Sequence, residues 1–149
     1  MNLISFKGEE MNINIINTEK ITEKFAKEAV QEYTKRLSRY CKLKYLEVKN
    51  ENQLLKEIGD RTYLILLNYK GENISSEEFA NKINDLGIKG SSNITILICN
   101  TDLPQEVAEK VSFHMSISQM EMDINVLGMA LYEQIYRAYR IMNGEPYHK

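Results

Sequence analysis

The chain has 149 residues, enough for one domain with a buried core, and at 43% hydrophobic and 27% charged it has the composition of an ordinary globular protein. Its net charge of -2 gives no global attraction to nucleic acid, so an RNA contact must come from a local basic patch. No run approaches the ~20 apolar residues of a membrane span, the opening MNLISFKGEEMNINII lacks the basic segment and long apolar run expected of a secretory signal, and no Cys/His spacing suggests a metal site.

In chain order, Asn12 to Ile16 alternates polar and apolar residues and predicts a first strand. Met11 is a candidate alternative start, leaving 1–10 as an N-terminal appendage and 11–149 as one domain. Apolar residues at Phe25, Ala29, Tyr33 and Leu37 form a stripe that predicts a helix from Thr22, its expected N-cap, to Tyr40. Leu43 to Val48 reads as a strand, and Glu51 to Gly59 as a short helix stopped by its glycine. Thr62 to Leu67 is a continuous apolar run, as expected of a strand covered on both faces. Ser75 with Glu78 makes a capping box before Phe79, Ile83 and Leu86. Asn93 to Cys99 reads as a second buried strand, and Asp102 with Gln105 as the start of a helix to Lys110. Ser112 to Ser118 alternates again. A last helix spans Ile124 to Met142 and stops at Asn143-Gly144.

Strands alternating with helices predict a single α/β domain, with a mainly parallel sheet flanked by helices. Ligands of such sheets sit at the carboxyl ends of the strands, so the loops after Leu67, Cys99 and Ser118 are the places to look. Cys41 and Cys99 read as two reduced thiols rather than a disulfide framework.

Four stretches carry a resemblance: YKGENISSEEFA (Tyr69 to Ala80), the loop at Cys99, SISQM (Ser116 to Met120) and the close YEQIYRAYRIMNGEPYHK (Tyr132 to Lys149). With KFAKEAVQEYTKRLSRY in the first half, they resemble the SPOUT-class methyltransferases that modify a pseudouridine of bacterial large-subunit ribosomal RNA. The resemblance covers roughly Met11 to Lys149. It implies a cytoplasmic homodimer with a C-terminal trefoil knot, S-adenosylmethionine as cofactor with no metal, and a ribosomal RNA acceptor methylated at a ring nitrogen. It also implies that the last helix packs against the other subunit and that the tail lies beside the partner's cofactor pocket. Tyr136 and Tyr139 are then buried against neighbours, while Arg137, Arg140, His148 and Lys149 are the candidate RNA contacts.

The same resemblance assigns cofactor contacts to Leu67, to backbone near Cys99, and to Ile117, Ser118, Gln119, Met120, Glu121 and Met122. Two departures from the family pattern bear on this. The family has Gly-Gly where this chain has Cys99-Asn100, and a β-carbon there is expected to narrow the backbone's approach to a ligand. Family members commonly read Met-Thr-Phe-Pro-His-Gln, with an Arg four residues after the His. Here the stretch is Met120-Glu121-Met122-Asp123-Ile124-Asn125, and Gly128 stands at the Arg position.

Methyl transfer needs donor and nucleophile held in line and one proton removed. With the family His absent, the candidates for the proton are His148, the Tyr147 hydroxyl and Glu121. Each has a plainer role available: phosphate contact, stacking, or capping of the helix from Ile124. His114 reads as a structural residue of its strand, and Met115, Met120, Met122 and Met129 as core filling. Three readings follow: an active ribosomal RNA methyltransferase, a catalytically silent binding homodimer, and a methyltransferase with another acceptor.

Overall fold

The computed structural model describes residues 10–147. The elements alternate without exception along these residues: β1 (Asn12–Asn17), α1 (Lys24–Leu37), β2 (Lys42–Glu47), α2 (Glu51–Glu57), β3 (Tyr63–Asn73), α3 (Ser76–Ile88), β4 (Asn93–Ile98), α4 (Gln105–Ala108), β5 (Phe113–Ser116) and α5 (Ile124–Met142). The strands form one sheet in the order β2-β1-β4-β3-β5, every pair parallel. The parallel α/β architecture expected from the sequence is therefore present.

The two apolar runs are buried on both faces because each divides its side chains between two layers. Ile65, Leu67, Ile94, Ile96 and Ile98 pack with Phe79 and Ile83 of α3 and with Leu131 and Ile135 of α5. Leu64, Leu66, Leu97 and Cys99 pack with Leu54 of α2 and Val107 of α4. α5 packs against both α1 and α3, and Val126 is its only exposed residue. Burying each of its large apolar side chains contributes about 1.5–3 kcal/mol.

Local signals explain most of the boundaries. Ser75 and Glu78 form the expected capping box. Gly144 ends α5 with φ +66°, a conformation glycine adopts without strain. Other expectations need correction. α1 starts at Lys24, its N-cap is Glu23, and no side chain caps it; Thr22 is not the cap. Phe25 is 51% exposed, because Ala26 and Leu37 are the residues α1 turns inward. α4 is a single turn behind Pro104, not a helix capped by Asp102 and running to Lys110. β3 runs six residues past Leu67, to Asn73, through a bulge.

Candidate functional site at the carboxyl edge of the sheet

The strand order sets the carboxyl ends of β4, β3 and β5 side by side. Leu67 lies opposite Ile98 on one side and Met115 on the other. Just past that point the Cys99 amide donates to the Leu67 carbonyl at 3.3 Å. Leu67 and Cys99, both expected at the site, are thus joined.

Asn68 ties the same edge together. It is only 7% exposed. Its Nδ2 donates to the Cys99 carbonyl at 2.8 Å, and its Oδ1 accepts from the Lys70 amide at 3.0 Å. His114 Nε2 stands 2.7 Å from that same Oδ1 and donates to it, because the Asn68 amide nitrogen is already committed to Cys99. The chain then bulges, so that Leu67 and Glu72 both face Met115. Gly71 makes this possible: a β-carbon there would lie 2.3 Å from the Met115 carbonyl carbon. Sequence reasoning passed over Asn68 and Gly71. The available signal was an amide ending an apolar run, followed three residues later by a glycine in a strand.

The expectation that Cys99 narrows a ligand's approach needs correcting. Its side chain packs with Ile16, Val48 and Leu54 in the layer beneath α2 and α4, and its sulfur lies 3.4 Å from the Thr101 carbonyl. The thiol is core, and its backbone is what meets the rim.

In the loop from β5 to α5, Ile117 and Met122 are half-buried against the main core. Gln119 and Glu121 are exposed, and so is Met120, which at 79% is not core filling. The Met120 amide takes the Ser118 hydroxyl at 3.0 Å, while Gln119, Glu121 and Met122 make no backbone-to-backbone bond among the described residues. Half-buried apolar side chains beside unused amides and carbonyls are a donor set that fits an adenine ring and its polar edge. Asp123, not Glu121, caps α5, accepting from the Asn125 amide at 2.9 Å. That side chain, then that amide, hold the Asp123 carboxyl below its ordinary range.

The positions at which the resemblance leads one to expect His and Arg, Ile124 and Gly128, lie one turn apart at the start of α5. Ile124 packs on the core. Gly128 is buried with Ile21 against it. Asn125 accepts from the amides of Thr22, at 2.9 Å, and Glu23, at 3.0 Å. The segment before α1 therefore covers the face an Arg at 128 would need.

The described residues after α5 fold back onto that helix. The Tyr147 hydroxyl donates to Glu133 at 3.0 Å and its ring meets the Tyr136 ring edge-on at 5.0 Å. Arg137 pairs with Glu133 at 2.6 Å and lies 5.0 Å above the Tyr147 ring. Arg140 lies 3.8 Å from Glu145 and over the Tyr136 ring. Tyr136 and Tyr139 bury against Tyr33 and Tyr40 of the same chain. Burial, then hydrogen bonding with Tyr33 and Glu133, pushes the Tyr147 hydroxyl up, so it stays protonated and acts as a donor. His148 and Lys149, expected as a base and as RNA contacts, lie outside the described residues.

Two hollows flank the edge. One of about 90 Å³ is lined by Ser76, Phe79, Ser116, Ile117 and Gln134. One of about 180 Å³ is lined by Thr18, Lys49, Asn50, Cys99 and Asp102. Neither includes Leu67 or Met120, and both fall below the ~300 Å³ usual for a small-molecule site.

Comparison with known proteins places the chain among methyltransferases. A family model described as "Predicted SPOUT methyltransferase" matches residues 11–148. A protein of Clostridium tetani named "Ribosomal RNA large subunit methyltransferase H" is 43% identical over a 159-residue alignment spanning 93% of this chain and all of the relative. A Clostridium kluyveri protein of the same name is 38% identical over the same spans. Among solved structures, a "probable methylase family protein" of Haemophilus influenzae superposes with a TM-score of 0.54 at 10% identity, covering 90% of this chain and 66% of that one. The A. aeolicus TrmH/SpoU tRNA modifying enzyme gives a TM-score of 0.50 at 11% identity, with 96% and 83% covered. The SpoU methyltransferase AviRb of Streptomyces viridochromogenes, solved in complex with AdoMet, gives 0.50 at 10% identity, with 91% and 60% covered. At such identities the structural matches speak for the fold alone.

Proposed function

This chain belongs to the SPOUT methyltransferase family, and from that membership we propose that it transfers a methyl group from S-adenosylmethionine to a base of large-subunit ribosomal RNA. The observation that carries the reading is the carboxyl edge itself. Leu67, Asn68 and Cys99 are bonded together there, in a chain 43% identical over the whole length of a ribosomal RNA methyltransferase. The relatives, each named a methyltransferase, do not favour the silent binding-protein reading.

Ile117 and Met122 supply the apolar wall for the adenine, and the backbone of Gln119, Glu121 and Met122, which makes no main-chain bond among the described residues, supplies its polar contacts. Glu121, exposed in the same loop, is our candidate carboxylate to favour the sulfonium charge. When bound, S-adenosylmethionine supplies a methyl group already activated by its sulfonium. The chain's share is then alignment and removal of a proton. With Tyr147 held protonated, our candidate base is the imidazole of His148. Arg137, Arg140 and Lys149 are the proposed RNA contacts, and a ring nitrogen of a pseudouridine the proposed acceptor.

We further propose a cytoplasmic homodimer with a C-terminal trefoil knot, in which the tail of one copy completes the site of the other. Phe25 and Val126, exposed large apolar residues on the adjoining starts of α1 and α5, support a covered face there. The small volume of the hollows in one chain supports a site finished by a second. The match beginning at residue 11 supports reading 1–10 as an appendage.

Calorimetric titration with S-adenosylmethionine, followed by mass spectrometry of ribosomal RNA from treated ribosomes, tests the reading. One added methyl on large-subunit RNA is expected. No heat at millimolar ligand and no methyl on any RNA would overturn it.

A further inference from the structure

We infer that Asn68 and His114 are the positioning residues of this site, a three-strand clamp that fixes the rim on which the methyl donor rests; the inference depends on the methyltransferase reading above. The β3–β4 ladder ends at Leu67 with Ile98, and the β3–β5 ladder breaks after Leu67 with Met115 and resumes at Glu72 with Met115. Between Leu67 and Glu72 β3 bulges away from β5, and over Asn68 to Gly71 no ladder pair joins β3 to β4 or β5.

The Asn68 side chain takes over that task. Its amide carries the same donor and acceptor as a peptide group. It donates to Cys99 of the β4 end at 2.8 Å, and accepts from His114 of β5 at 2.7 Å and from Lys70 of the bulge at 3.0 Å. His114 lies opposite Leu66, so its ring reaches Asn68 from the neighbouring strand.

The two residues act as a unit. The Cys99 carbonyl takes only the Nδ2 end of the amide, and the Oδ1 end then takes the ring N–H of His114 and the Lys70 amide. Removing His114 unties β5 from the amide and leaves buried Oδ1 with one partner, the Lys70 amide. Removing Asn68 deprives the Cys99 carbonyl, the Lys70 amide and the His114 ring of partners together. Leu67 and Cys99, whose backbones form the rim, would then keep their 3.3 Å main-chain bond but lose the second tie that fixes their orientation. Neither Asn68 nor His114 needs to touch the donor for this to weaken its binding.

The test compares His114→Leu, His114→Gln and Asn68→Asp with the unaltered full-length protein, measuring KM for S-adenosylmethionine, kcat on ribosomes and the thermal midpoint. His114→Leu fills a similar space without a donor and is expected to raise KM about tenfold, with kcat changed less than about twofold. His114→Gln restores an N–H donor, and KM is expected to return to within about threefold of the unaltered protein. Asn68→Asp keeps the acceptor, loses the donor to Cys99, and is expected to raise KM about tenfold should the leucine variant not fold. A merely structural role would lower the thermal midpoint and the active fraction while leaving KM alone, with Gln no better than Leu. An unchanged KM in His114→Leu and Asn68→Asp, or failure of Gln to rescue, overturns the inference and leaves the methyltransferase reading standing. If the unaltered protein neither binds S-adenosylmethionine nor methylates RNA, that reading fails and the clamp's proposed role fails with it.

Discussion

A β-carbon on Gly128 would stand 2.9 Å from Ile21 Cδ1, so the bare backbone at 128 is what lets the segment before α1 lie against the start of α5. Ile21 covers the face that a side chain at 128 would use. Asn125, one turn earlier, holds the amides of Thr22 and Glu23. The small residue at 128 and the hydrogen bonds to Asn125 together dock this segment.

Substitutions at Gly128 should therefore separate by size. Gly128→Ala gains about 1 kcal/mol of helix propensity and displaces only the flexible end of Ile21, so urea unfolding should change by less than about 1 kcal/mol. Gly128→Arg must expel Ile21 and should lose at least about 2 kcal/mol. An arginine variant as stable as the parent would show that the segment is not held there.

Asn125→Ala removes the acceptor shared by two amides at the head of α1. Thr22 and Glu23 are exposed, so water replaces the lost oxygen and the loss should stay near about 1 kcal/mol rather than ~3 kcal/mol. Hydrogen exchange should quicken at Thr22 and Glu23, while the amides of α3 keep their protection.

Gly71→Ala is the most damaging single methyl we foresee. The new carbon would meet main-chain atoms of Met115 at 2.3–2.7 Å, and backbone cannot swing aside as a side-chain tip can. A loss of about 3 kcal/mol or more in chemical denaturation is expected, with weaker uptake of S-adenosylmethionine by whatever fraction stays folded.

Docking of the tail should depend on acid. Glu145 accepts from the Tyr40 hydroxyl and from Arg39, the latter at 2.6 Å. The Tyr40 hydroxyl first, then the guanidiniums, hold its carboxyl below the ordinary glutamate range. Its folded value lies below its unfolded one, so its contribution is complete above about pH 4.3 and is lost as pH falls through the folded value. Ring resonances of Tyr147 should report release of the tail in that acid window, and Glu145→Gln should flatten the transition.

Burial pushes the Cys41 thiol up to about 12, so it stays neutral and unreactive at physiological pH. Cys99 is buried too. Both should resist an aromatic disulfide reagent at pH 8 until denaturant is added, then react together. Rapid labelling of either thiol in the native protein would contradict this burial.

Much of the architecture was legible because burial leaves a periodic trace. The runs Tyr63 to Leu67 and Ile94 to Cys99 are apolar at every position but Thr95, and both lie inside the sheet. Ser75 with Glu78, and Asn143-Gly144, announce helix ends through purely local chemistry. Phe25 misled because it keeps helical spacing but lies on the outer side of α1. Periodicity reports that a stripe exists, and cannot tell a stripe that meets the core from one that meets solvent or another chain.

The sequence by itself determined the alternation of strands and helices, the two doubly covered strands, the last helix with its stop, and the resemblance that marks the family. These rest on the hydrophobic effect and on backbone capping, which act within a few residues of the amino acids that cause them. Tertiary structure alone decided that Asn68 meets His114 and Cys99, that Gly71 admits Met115, that Ile21 lies on Gly128, and that Tyr147 turns back onto Glu133. Each of those contacts joins residues 14 or more positions apart in the chain, and only the folding of the sheet fixes which distant side chain stands within reach of a hydrogen bond or a van der Waals contact.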